Sequence, residues 1–129
     1  KRQVLEIGEA IRWQSSEETT LRDIRYQAQA ESGAVWDIDA AAGIFYEDIN
    51  ELELKNGVTV LELTRHTTIQ TGSMRLYMDQ KRAQGEQEVV TTGRGSRTTG
   101  SAFELDLQSN MATLKGDVRT EYEEPSCRK

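Results

Sequence analysis

At 129 residues and 14.6 kDa the chain suits one domain, and with 36% apolar residues any core is thin. Twenty-two acidic against sixteen basic side chains give a net charge of −6, which argues against binding to a nucleic-acid phosphate backbone. One cysteine, Cys127, and one histidine, His66, leave no internal disulfide and no thiolate metal site, and no apolar run reaches the roughly 18–20 residues of a membrane helix. His66 stands in the polar run Thr64-Arg-His-Thr-Thr68 with no nucleophile elbow anywhere in the chain. Gly93-Arg-Gly95 lacks the Lys-Ser/Thr of a phosphate loop. No catalytic residue, metal or cofactor is expected, and the chain does not read as an enzyme.

In chain order, residues 4–24 read as a degenerate pair of strands, with Leu5, Ile7 and Ala10 on the first and Leu21 and Ile24 on the second. Residues 16–31 also place Leu21, Ile24 and Ala28 at helical spacing behind a serine cap, and local pattern leaves that choice open. Beyond them the period is two. Trp36, Ile38 and Ala40 alternate with Asp37 and Asp39; Leu52 and Leu54 with Glu51, Glu53 and Lys55; Phe103, Leu105 and Leu107 with Glu104, Asp106 and Gln108; Val118, Thr120 and Tyr122 with Arg119, Glu121 and Glu123. Each stretch has one apolar and one charged face, as in a sheet wetted on one side. A single proline against thirteen threonines agrees with strands.

The chain also repeats itself. Shifted by about 31 residues, Ile38 falls on Ile69, Ala40 on Thr71, Phe45 on Leu76 and Val58 on Val89; a further shift of about 29 brings Met74 onto Phe103, Leu76 onto Leu105, Met78 onto Leu107 and Val89 onto Val118. Two units close on the same phrase, Leu54-Lys-Asn-Gly-Val58 and Leu114-Lys-Gly-Asp-Val118. Each unit reads as strand, polar turn, strand, with turns at residues 47–50, 79–82 and 108–110. Within a first strand the apolar steps run two, three, two, so one inserted residue, a β-bulge, is expected near Ala41 and Ala42.

Trp36-Asp-Ile-Asp-Ala40 followed by Gly43, Leu52-Glu-Leu54 and Gly57-Val-Thr-Val60 resembles the LptC/OstA-like repeat of lipopolysaccharide export proteins, and Leu114-Lys-Gly-Asp-Val-Arg-Thr-Glu-Tyr122 resembles the end of LptC in particular. The resemblance implies an all-β fold: an open β-jellyroll, or two-sheet solenoid, of about fifteen antiparallel strands in ~30-residue repeats, occupying residues 1–124 ahead of a tail at 125–129. It further implies a periplasmic carrier anchored to the inner membrane by a helix preceding this chain. Such a carrier takes lipopolysaccharide from an inner-membrane ABC transporter and passes it to LptA, without catalysis. The inward positions Ile38, Ala40, Phe45, Val58, Ile69, Met74, Leu76, Met78, Val89, Phe103, Leu105 and Leu107 would line the lipid groove; the alternative makes them the plain core of a closed sandwich, and the chain a structural β-solenoid interaction module or a soluble LptA-like bridge protein without its own lipid site. Unpaired edges invite pairing with another chain. The last strand, with Val118, Thr120 and Tyr122, is expected to dock LptA, helped by Gly100 in a turn, and the edge around Val4 and Ile7 is expected to meet the transporter.

Overall fold

Period-two alternation and β-branched residues carry through the whole of the computed structural model, which describes residues 3–12, 17–64, 66–93 and 95–122 and holds no helix among them. The strands are β1 (Gln3–Arg12), β2 (Glu18–Gln29), β3 (Val35–Tyr46), β4 (Glu51–Glu62), β5 (Thr67–Thr71), β6 (Met74–Tyr77), β7 (Arg82–Gly85), β8 (Val89–Gly93), β9 (Ser96–Gly100), β10 (Ala102–Asp106), β11 (Met111–Lys115) and β12 (Arg119–Tyr122). All pairings are antiparallel. β1 to β4 pair along their length, and β4 then divides the ladder: its first half pairs β6, its second half β5. One arm continues as β6-β7-β10-β11, the other as β5-β8-β9-β12. Their inner faces share one buried cluster, so the arms face each other as the two leaves of a jellyroll.

The chain passes between leaves along one spine. There β3 shifts register between Ala40 and Ala42, which is the expected bulge. Asp23 of β2 and Asn56 and Gly57 of β4 take positive φ (55°, 65° and 96°) at the same level. The phrase shared by residues 54–58 and 114–118 is this corner, with Gly116 and Asp117 again at positive φ. Among the described residues twelve strands stand where about fifteen were expected, because β1 to β4 run unbroken through the spine. Within the segment 16–31, Glu18–Gln29 is strand β2, which pairs β1 on one side and β3 on the other, while Ser16 lies outside the described residues.

Opposite the spine lies a rim of turns, each within one leaf. Asn50, Lys81 and Asn110 close three of them at positive φ. Those three span residues 47–50, 78–81 and 107–110, so the second and third begin one residue earlier than the sequence suggested. They are laced edge to edge by backbone bonds: Glu47 N–H donates to Glu17 O (2.9 Å), Met78 N–H to Asn50 O (3.3 Å) and Leu107 N–H to Lys81 O (2.9 Å).

Two glycines set the packing of the first leaf. Its inner row runs Leu21, Gly43, Leu54, Met74, Gly85, Phe103 and Leu114 by register. A methyl group on Gly85 would lie 2.3 Å from the Phe103 ring, and one on Gly43 2.7 Å from the Ile24 side chain. Large residues fill what the glycines leave open, as close-packed interiors require. Gly85→Ala should therefore cost about 1–3 kcal/mol in denaturant unfolding, and its cost should fall in a Phe103→Leu background. Equal costs in both backgrounds would place the ring elsewhere.

Candidate functional site

The register brings the twelve predicted groove positions together. On the second leaf the rows read Ile24, Ala40, Val58, Thr71, Val89 and Gly100 near the spine, then Tyr26, Ile38, Val60, Ile69, Thr91, Thr98 and Thr120. On the first leaf Leu52, Leu76, Ala83 and Leu105 form a second row beside the glycine-containing one. Ten of the twelve are buried at 0–6% exposure; Phe45 and Met78 are half-buried and pack on the same cluster. The apolar interior is thus continuous along the domain, and the leaves cover it.

The opposite faces carry charge. Arg75 bonds Glu51 at 3.0 Å and lies over the Tyr46 ring, while Lys115 and Arg82 flank Glu104 at 3.0 and 3.8 Å. On the second leaf Arg25 reaches Asp39 at 3.0 Å, and burial together with Asp39 pushes the Asp37 carboxyl above its usual range. An open trough of about 540 Å³ crosses the spine between Glu6, Asp23, Arg25 and Asp39 over Gly8, Ala41 and Gly57. Among the described residues no group of three His, Cys, Asp or Glu side chains converges as a metal site would require.

Polar groups inside the leaves escaped the sequence reading. Trp36 and Glu62 are 3% and 2% exposed and directly opposed across β3 and β4. The Trp36 Nε1 and Thr91 Oγ1 atoms are buried without hydrogen-bond partners among the described residues. Glu62 was legible in principle: it continues the inward series Val58, Val60 as its one charged member.

Val118 and Tyr122 are exposed, and the Thr120 hydroxyl pairs with Thr98 at 2.9 Å. The final strand begins at Arg119 rather than Val118; residue 123 and the tail lie outside the described residues. β12 ends one leaf and β11, with Met111 exposed, ends the other, so the terminal edge is double where the sequence reading named only its second half. At the opposite edge β1 presents Val4 half-buried and Ile7 exposed. Gly100 is not in a turn at positive φ; it lies in β9, where an added methyl would stand 3.3 Å from Leu114 Cβ and from the Lys115 carbonyl oxygen. Its smallness serves close approach of β11.

Tyr26 shows how dry the interior is. Burial pushes its phenol from 10.0 up to about 12. The folded state favours the neutral phenol, so this contribution is complete below the unfolded value and is lost as pH rises through about 12. Between about pH 9 and about pH 12, wild type should lose about 2 kcal/mol more stability than Tyr26→Phe. An unchanging difference between the two in denaturant melts would mean that the phenol ionises freely.

No curated protein matches the chain. Among solved structures it is similar to LptH from Pseudomonas aeruginosa, described as the LptA-homologous periplasmic component of the conserved lipopolysaccharide transport device. The TM-score is 0.68 at 9% identity, covering 96% of each chain, a likeness of fold. The family description that matches, over residues 8–123, is lipopolysaccharide-assembly, LptC-related. This all-β jellyroll chain belongs to the LptC-related family of lipopolysaccharide-assembly proteins.

Proposed function

We propose that the chain is a periplasmic, inner-membrane-anchored part of the lipopolysaccharide transport bridge. It holds lipid acyl chains between its leaves and passes them from the ABC transporter to LptA. The match to the LptC-related family over residues 8–123 carries this reading, and the likeness to a periplasmic transport component supports it. An apolar interior running the length of the domain suits flexible chains, each buried methylene contributing about 0.8 kcal/mol. Met74 and Met78 add adaptable thioethers. The acidic chain repels phosphorylated lipid and so favours release over retention.

Photo-crosslinkers at the half-buried positions Phe45 and Met78 should capture lipopolysaccharide, and those at Arg75, Glu104 and Asp106 on the outer face should not. Equal labelling of both faces would remove the interior from the pathway. A second reading, a structural interaction module, draws on the covered state of the interior, and absence of labelling at every position would select it.

The exposed terminal edge suits strand addition, in which main-chain bonds supply affinity and side chains set register. Val118, Thr120 and Tyr122 would align LptA there, Gly100 keeping the adjoining leaves close, while Val4 and Ile7 on β1 would face the transporter. A chain ended after Gly116 should stay folded by circular dichroism and lose co-purification with LptA. Retention at wild-type levels would move the docking edge elsewhere.

A further inference from the structure

The leaves are joined differently on their two sides. Along the spine the chain itself passes from one leaf to the other, at Gly72 and Ser73, at residues 86–88, at Ser101 and at residues 116–118, besides the corners of the long strands. Across the rim no turn among the described residues joins the leaves covalently, because each turn returns into its own leaf. There the turn at residues 30–34, between β2 and β3 of one leaf, meets the turn at residues 107–110, between β10 and β11 of the other. Glu31 N–H donates to the Gln108 carbonyl at 3.0 Å, and Gln108 Nε2 donates back to Glu31 Oε2 at 2.9 Å. These partners stand 77 residues apart in the chain.

Both turns are braced internally. Ala30 N–H donates to Ala34 O (2.8 Å) and Gly33 N–H to Ala30 O (3.0 Å), while Gln108 and Ser109 N–H both donate to Asp106 Oδ1 at 3.2 Å. Each can move as a unit. The two turns themselves bury Ala30, Ala34 and Leu107, and the mouth-side inner row next to them includes Ala28, Trp36 and Glu62. The pair itself is solvent-exposed, and such hydrogen bonds are individually weak.

We propose that the Glu31–Gln108 clasp is the gate of the interior: the leaves part at the rim, hinged on the spine, when this reciprocal pair breaks. What passes through it rests on the lipid reading above; the gate itself does not.

The test uses buried thiols in a Cys127→Ser background, with Ala28→Cys on the mouth-side row and Val58→Cys beside the spine. In each, thiol-labelling rate follows the open population. Gln108→Ala removes the side-chain half of the clasp and should speed labelling of Ala28→Cys about fivefold, with a smaller effect on Val58→Cys. Equal acceleration at both positions, as global unfolding gives, or none at either, would overturn the gate. In the same background, Glu31→Cys with Gln108→Cys should block uptake of lipopolysaccharide when oxidised and regain it on reduction. Uptake unchanged by oxidation would also overturn the gate. Selective acceleration at Ala28→Cys with no uptake by either form would uphold the gate and remove the lipid reading.

Discussion

The corner is the constraint on which the rest depends. A strand that turns from one leaf into the next must keep its apolar side inward on both, yet strict alternation across a sharp bend puts the next apolar residue on the outside. The chain solves this by insertion. First strands of each repeat step by three residues across the spine, from Ala40 to Gly43, Thr71 to Met74 and Gly100 to Phe103; second strands step by four, from Leu54 to Val58, Gly85 to Val89 and Leu114 to Val118. Positive φ at Asn56, Gly57, Gly116 and Asp117 absorbs the longer step in two of these units, while the step from Gly85 to Val89 is made without it. Because every unit makes the same correction, successive units stack in register and bury one continuous interior.

That device was legible wherever the repeat could be aligned, because two, three, two spacing cannot come from a plain strand. It also explains the one segment that stayed open. A step of three across Arg22 and Asp23, followed by two steps of two, puts Leu21, Ile24 and Ala28 at i, i+3 and i+7, the spacing of a helical stripe. A bulged strand and a short helix share this signature, and only pairing with β1 and β3 separates them. What the sequence could not carry was the approach of one leaf to the other. The covering of the interior and the meeting of the 30–34 and 107–110 turns depend on units far apart in the chain, and the close approach of Gly100 to Leu114 depends on contact between the leaves. The doubled terminal edge was missed for a similar reason: β11 reads as the inner half of a hairpin until the division of the ladder at β4 sends β11 and β12 to different leaves.

The interior changes character along its length. Inward residues on the second leaf pass from Tyr26, Ile38, Val60 and Ile69 to Thr91, Thr98 and Thr120, so methyl packing gives way to hydroxyls as the C-terminal end nears. Hydroxyls contribute less apolar adhesion than isoleucine or valine, and at the exposed end Thr98 and Thr120 bond each other. On the first leaf the opposite holds, since Phe103, Leu105 and Leu107 lie late in the chain and are fully covered. The two leaves therefore carry their strongest apolar surfaces at opposite ends of the sequence. The contact of residues 30–34 with residues 107–110 shows how the fold uses this: the apolar beginning of one leaf crosses over the apolar end of the other, and the hydroxyl-bearing end of the second leaf is left to the terminal edge, where Thr120 and Tyr122 are exposed. The terminal edge therefore ends in side chains that neither leaf covers, while the Glu31–Gln108 contact ties the covered parts of the two leaves together across the rim.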